Sequence, residues 1–435
     1  MLIGRRREKR TFSPWAYRFM RLILVPLLRL YHRPAVIGRE NMPTHGPCFL
    51  IANHSGMYDM FFMNYPIRHE ALAGIMTDEY LRSGILPWFF RRLGTVATRK
   101  FQPQSTPVRE LLRLIRDKRM IVLMPEGESN WDGVTLPTVA STGKLFRSTQ
   151  VPVYPVTLHN GYQAFPRWAR WPRPVKVTIE FHPPIHFTPE MSDDEVAERV
   201  DRAVHWHPLW EPESLRWTGR WSPRTASGIT RLLFRCPSCG RSGNLQELRG
   251  KYLRCGDCSG RWRVSADGWL TDTATAEREF STTLFQTICK MPRETLDFGA
   301  QGVGLIRTAN LPVYRETTYP GYESLGRRDC ILRSDAIDLL PAATAAFDKL
   351  RVTAATATDK PITIPLADLR SFSAELKVKF QLRTQDHLYQ LIFDKGSPLQ
   401  WQVYLKGMLP HLEEGLTRNT DYANSHGLTQ REHDA

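Results

Sequence analysis

The sequence offers no convincing membrane-spanning run. A crossing helix takes about 20 consecutive apolar residues. The apolar stretch "LILVPLL" is only seven residues long, lies between Arg21 and Arg29 and contains Pro26. No cleavage site of small residues follows it, so a secretory leader is not expected. Cysteine is also scarce. Of the seven present, four are spaced for metal rather than for disulfides, which agrees with a cytosolic setting. Acidic residues are in deficit, 44 against 59 Lys and Arg, for a net charge of +15. That imbalance favours an anionic partner: a lipid surface, a nucleic acid or a phosphorylated substrate. No internal repeat is present, which argues against a solenoid.

What is present is enough for several cores. The chain has 435 residues, 42% of them hydrophobic, and that length suggests two to four domains. Over half of the net positive charge sits in residues 1–40, where ten Lys and Arg face two acids. There the basic residues interleave with Trp15, Tyr17, Phe19 and Met20, and Trp15, Phe19, Leu22 and Ile23 recur at helical spacing. This pattern predicts a basic amphipathic segment that lies in a membrane interface, with a core-packing helix as the alternative. A peripheral protein on the cytoplasmic side of a membrane is the expectation.

Residues 41–205 alternate short apolar runs with helical patterns. "CFLIA", "MIVLM", "VPVYPVTL" and "VKVTIEF" read as strands. "PVRELLRLIRD" reads as a helix with Val108, Leu111, Leu112 and Ile115 on one face. Strands alternating with helices predict an α/β domain. Residues 206–231 carry Trp206, Trp210, Trp217 and Trp221 among prolines and read as a linker that docks by its aromatics. Residues 280–415 read as a β-rich domain ending in a helix, and residues 416–435 as a disordered tail.

The stretch "LIANHSGMYDM" places His54 five residues before Asp59. On one continuous helix the two side chains would point apart, because five residues rotate about 140° past a full turn. They meet if His54 ends the strand "CFLIAN" and Asp59 lies in the first turns of the next helix, with Ser55 as its N-cap. Open α/β sheets place their ligands at such carboxyl ends of strands. A histidine held through one ring nitrogen by a carboxylate can take a proton with the other. The substrate hydroxyl can then itself be the nucleophile.

Three further segments follow in order: Arg99 in "RRLGTVATRK", the Pro125-Glu126-Gly127 turn after a strand, and "VPVYPV" over Val151–Val156. With Asn53, His54 and Asp59 these resemble the four ordered motifs of the glycerolipid acyltransferase family, which includes the lysophosphatidic acid acyltransferases. The resemblance covers roughly residues 15–205. It implies a mixed sheet flanked by helices and an acyl transfer from acyl-CoA or acyl carrier protein to a lysophospholipid-type hydroxyl. His54 would be the general base and Asp59 its orienter. Arg99 would bind acceptor phosphate, and Pro125, Glu126 and Gly127 would shape the acceptor pocket. The family's third motif usually continues Thr-Arg-Ser, whereas this chain has Glu128, Ser129 and Asn130, which leaves the acceptor open. A non-catalytic lipid- or protein-binding scaffold with the same fold is the rival reading.

Residues 232–270 hold Cys236-x2-Cys239 and Cys255-x2-Cys258 with fifteen residues between the pairs. Two Cys-x-x-Cys pairs at that distance predict a structural Zn2+ site and resemble a zinc ribbon. Four thiolates close the coordination sphere, so no catalysis is expected there. Basic residues around the ribbon suit a solvated face. Nucleic acid is not the expected partner, because such binding leaves the first 200 residues unexplained. The strands around "PLQWQVYL", with Trp401, loosely resemble a pleckstrin-homology or GRAM-like domain.

Overall fold

The computed structural model describes residues 12–77, 90, 92–98, 105–216, 222–293, 296–297, 302–317, 321–342, 360–375 and 377–414. Arg99, Trp217, Trp221 and the tail 416–435 lie outside them. The chain divides into two compact units. Unit 1 takes in the chain up to Pro166 and then Pro172–Trp221, and unit 2 takes in Arg167–Trp171 and Ser222–Leu416.

Unit 1 runs α1 (Pro14–His32), β1 (Ala35–Ile37), β2 (Cys48–Ala52), α2 (Asp59–Asn64), β3 (Ala73–Thr77), β4 (Val96–Thr98), α3 (Ser105–Arg116) and β5 (Met120–Leu123). It continues with α4 (Ala140–Thr149), β6 (Val153–His159), a single turn α5 (Gly161–Ala164), β7 (Thr178–Phe181) and α6 (Asp193–Val204). Its sheet has seven strands in the order β1-β7-β6-β2-β5-β3-β4. From β6 to β4 all neighbours are parallel, β7 reverses against β6, and β1 follows β7. The sheet is therefore mixed.

Strand β2 is central and buried at every residue, as a parallel strand covered on both faces must be. Its pleat divides the core. Leu50 and Ala52 join Leu28, Phe62 and Val156 on one face, while Phe49 and Ile51 join Phe146, Val153, Val196 and Val200 on the other. Helix α6 supplies the second layer because Val196, Val200 and Val204 fall at i, i+4 and i+8 and are all buried. Its start is fixed by Ser192, whose side chain accepts the Glu195 N–H at 3.1 Å.

Two local expectations are corrected. Helix α3 buries Leu111 and Leu114, whereas Val108 and Leu112 are 50% and 41% exposed. The packed stripe is rotated from the one read off the sequence. Ser55 is not the N-cap of α2, which begins at Asp59 after Tyr58. Ser55 is buried inside the preceding turn.

Unit 2 opens with a five-stranded antiparallel sheet of β8 (Leu245–Leu248), β9 (Tyr252–Cys255), β10 (Arg261–Val264), β11 (Trp269–Asp272) and β12 (Arg278–Phe280). Helix α7 (Ser281–Lys290) and the short pair β13 (Leu296–Asp297) and β14 (Val303–Gly304) follow. A seven-stranded sheet comes next, made of β15 (Ile306–Glu316), β16 (Tyr322–Leu332), β17 (Ala336–Pro341), β18 (Ile362–Pro365), β19 (Leu369–Glu375), β20 (Lys379–Thr384) and β21 (Leu388–Ile392). Its strands pair antiparallel throughout, in the order β18-β17-β16-β15-β21-β20-β19. Helix α8 (Pro398–Met408) packs on it through the fully buried Trp401, whose Nε1–H donates to Thr308 Oγ1 at 3.1 Å. The C-terminal region is thus β-rich.

Candidate active site

Strand β2 ends where its neighbour β6 continues. Asn53, the residue after it, replaces the missing ladder with its side chain. Its Oδ1 accepts the Leu158 N–H at 2.8 Å, and its Nδ2 reaches the Leu158 carbonyl at 3.4 Å. The amide thus bonds like a strand residue toward β6 while the backbone is released into the turn. His54 follows as the first residue out of the sheet.

The His54 Nδ1 lies 2.9 Å from Asp59 Oδ2. The same oxygen accepts the Gly56 N–H at 2.9 Å, which closes the turn on the first residue of α2. Asp59 therefore does locally what a capping side chain would have done. Burial pushes its carboxyl above the ordinary aspartate range, and the His54 ring with the Gly56 and Ser55 N–H groups pulls it back. Gly56 is required by space: a Cβ there would stand 2.6 Å from the Gly161 carbonyl oxygen and 2.8 Å from Asp59 Oδ1. The His54 side chain keeps 25% of its surface exposed while Asp59 keeps none. Among the described residues His54 Nε2 has no hydrogen-bond partner. A carboxylate on Nδ1 favours the tautomer with the proton there, which leaves the Nε2 lone pair facing outward.

The turn after β5 grips the His54 backbone from both sides. Glu126 Oε1 accepts the His54 N–H at 2.6 Å, and the Asn130 N–H donates to the His54 carbonyl at 3.1 Å. Glu126 Oε2 accepts the Leu136 N–H at 2.8 Å and the Asn130 amide at 3.3 Å. Asn130 Oδ1 in turn accepts the Gly133 N–H at 3.0 Å. Burial pushes the Glu126 carboxyl up to about 8, against the pull of these donors. Pro125 accepts the Val139 N–H through its carbonyl at 2.9 Å. Gly127 turns with φ +71, a conformation that favours glycine. So His54, Asp59 and Glu126 are brought into one bonded group, with Pro125 and Gly127 in the same loop.

A family model described as acyltransferase matches residues 33–159, which span this whole group. Residues 33–159 are thus similar to an acyltransferase domain. A 1-acyl-sn-glycerol-3-phosphate acyltransferase of Limnanthes alba is 25% identical over 202 residues, covering 44% of this chain and 69% of the relative. One from Limnanthes douglasii matches with the same identity and coverage. Among solved structures, the 1-acyl-sn-glycerophosphate acyltransferase PlsC of Thermotoga maritima is 23% identical with a TM-score of 0.38, covering 44% of this chain and 75% of that one.

Unit 1 contains a second buried ionic group that its sequence did not disclose. His159, the last residue of β6, is 3% exposed. Its Nε2 lies 2.7 Å from Glu180 Oε2, and its Nδ1 lies 3.2 Å from the buried Glu211 Oε1 in an ion-pair contact. Trp206 meets the ring edge-on at 5.0 Å between centroids. Burial alone would lower the imidazole, but the two carboxylates raise it to about 9. A folded value above the unfolded one contributes stability that is fully present below about 6.5 and is lost as pH rises through 9. The wild-type melting temperature should therefore fall between these pH values, with a loss of about 3 kcal/mol at most. The fall should be much shallower in His159→Gln. Thermal melts across that range check this, and parallel curves for the two proteins would contradict it.

Cys236, Cys239, Cys255 and Cys258 form a separate cluster within unit 2. The Cys236 and Cys258 sulfurs are 3.7 Å apart, those of Cys239 and Cys255 are 3.8 Å apart, and all four lie within 4.8 Å of one another. Disulfide sulfurs would be about 2.05 Å apart, and all these cysteines are free. A tetrahedron with metal–sulfur bonds of about 2.3 Å has edges of about 3.8 Å. Backbone N–H groups of Cys239, Asp257 and Gly260 point at the sulfurs of Cys236, Cys255 and Cys258, each at 3.4 Å. Such donors favour thiolate and leave the metal-facing lone pairs available. The donor set and its spacing fit a zinc ion.

Proposed function

We propose that this chain moves an acyl group from a thioester donor, acyl-CoA or acyl carrier protein, to a hydroxyl of a lysophospholipid-type acceptor. The observation that carries the reading is the buried Asp59 carboxylate on His54 Nδ1, with Nε2 unclaimed among the described residues. The acceptor hydroxyl gives its proton to Nε2 as its oxygen attacks the thioester carbonyl. The carbon–sulfur bond breaks as the tetrahedral adduct collapses to the ester, and the thiolate takes the proton from the imidazolium. Asp59 orients the ring and stabilises its charged form while the proton is held. The Glu126 carboxyl group and the Asn130 N–H act on the His54 backbone, so the third motif positions the base of the first. The chain's Arg99 is the proposed phosphate holder, and Glu128 in place of the usual neutral residue narrows which headgroups fit beside it.

Two parts outside this group complete the reading. The four thiolates would hold a structural zinc. Helix α1 would rest on a lipid surface through Trp15, Phe19, Leu22, Ile23, Leu27 and Leu30, all at least half exposed. Among the described residues no helix is long and apolar enough to cross a membrane. The antiparallel sheet closed by α8 over Trp401 supports a pleckstrin-homology or GRAM-like reading of the C-terminal region, and by itself it assigns no ligand. Release of free thiol from acyl-CoA, measured with a panel of lysophospholipids, tests the proposal. Release should require an acceptor and should rank the headgroups. Release that no acceptor accelerates would overturn it.

A further inference from the structure

Helix α1 has an apolar outer face and, along one border of it, an arginine-lined cleft. A cavity of about 190 Å³ is lined by Arg21, Val25, Arg29, Arg39, Tyr65 and Arg68, together with Pro66, and by no acidic residue. Each arginine has a different local state. Arg21 forms the floor, donating to the backbone carbonyls of Asn64 and Tyr65 at 2.9 and 3.1 Å and to that of Ile67. Arg29 Nε donates to the Tyr65 hydroxyl at 3.2 Å. Arg39 and Arg68 are exposed, and their side chains make no hydrogen bond or ion pair among the described residues. Glu70, the acid two positions after Arg68, is taken by Arg119 at 2.7 Å. Positive charge is therefore concentrated here, with no counter-ion in the lining of the cleft among the described residues.

The helical angles place this cleft. Counted at about 100° per residue from Trp15, the apolar face runs from Leu22 through Trp15, Phe19 and Leu30 to Ile23. Arg29, Val25 and Arg21 follow in that order beyond Leu22. A helix lying in the interface with that face down holds the cleft at its flank, at headgroup depth. Guanidinium groups match phosphate oxygens in paired hydrogen bonds better than ammonium groups do.

We propose that this cleft receives the phosphate of an anionic bilayer phospholipid, seating α1 on the membrane through a headgroup contact as well as through its apolar face. The inference rests on the membrane reading of α1 and not on acyl transfer. It also explains why the cleft has four arginines and no acid: one apolar helix face binds a bilayer weakly and reversibly, and a second, electrostatic contact makes attachment firm.

The test is co-sedimentation of the full chain with vesicles of phosphatidylcholine, alone or mixed with phosphatidylglycerol, in the absence of acyl donor. The same assay run on His54→Ala separates this site from the catalytic one. Wild type should bind the mixed vesicles about tenfold more tightly than the neutral ones. Arg39→Gln with Arg68→Gln, which breaks no bond within the described residues, should lose most of that preference and keep binding to neutral vesicles. Arg199→Gln with Arg202→Gln removes the same charge from α6, on the opposite face of the sheet, and should keep the preference. An equal loss in both double variants would assign the effect to overall charge and overturn the cleft. So would full preference in the Arg39 and Arg68 variant.

Discussion

Replacing His54 with alanine is expected to lower kcat/KM for acyl transfer by about 10²–10⁴-fold. The loss should appear in kcat, because proton removal from the hydroxyl is needed in the transition state and not for binding the acceptor. The chain should still fold. The His54 side chain is a quarter exposed and contributes one ring contact to Asp59, whereas the backbone bonds from Glu126 and Asn130 survive the substitution. Asp59→Asn makes the complementary test. The amide oxygen can still accept the Gly56 N–H, but the charge that stabilises the imidazolium is gone. Its activity should fall by a similar order, with circular dichroism and melting close to wild type. Measuring both variants with saturating donor separates a lost base from a lost fold. Near-wild-type turnover in His54→Ala would remove the histidine from the chemistry.

The second large effect concerns the four thiolates. Metal analysis of the purified chain should find about one zinc per molecule. Stripping it, or replacing Cys255 with serine, should unfold the region around β8 to β12. The reason is the small size of that sheet: its strands are three or four residues long, and their buried apolar side chains besides cysteine are Leu253, Trp262, Val264, Leu270 and Phe280. Zinc sites in such modules contribute on the order of 10 kcal/mol of apparent folding free energy. Hydrogen exchange should show residues 236–280 losing protection on chelation, while β15 to β21, with their own core around Trp401, lose little. Unchanged protection in a metal-free chain would show that the ribbon needs no ion.

The sequence carried much of the candidate site's layout and little of its scaffolding. His54 and Asp59 were readable because their spacing fails on a helix and works at a strand-to-helix turn. The structure has that turn, with Asp59 opening α2. The roles of Asn53 and Asn130 were not readable. Each is a clamp between chain segments far apart in sequence, Asn53 on Leu158 and Asn130 on the His54 carbonyl, and only the sheet order β6-β2-β5 creates them. The His159 group is hidden for the same reason: Glu180 and Glu211 reach it from 21 and 52 residues away. In α3 the periodic pattern fixed a helix but not its inward side, since "PVRELLRLIRD" supports apolar stripes through either Val108 and Leu112 or Leu111 and Leu114. Strand β19 escaped because "LRSFSAE" has no β-branched residue and alternates serine with apolar side chains. The sheet buries all but one of those positions, serines included.

The central claim is that the acyl group ends on the acceptor's hydroxyl. The most direct measurement is mass spectrometry of the lipid product from purified chain, an isotope-labelled acyl-CoA and an unlabelled lysophospholipid. The account predicts one labelled acyl ester on the acceptor for each thiol released, and neither in His54→Ala. Labelled free fatty acid without esterified acceptor would contradict it, because the attacking oxygen would then be water's.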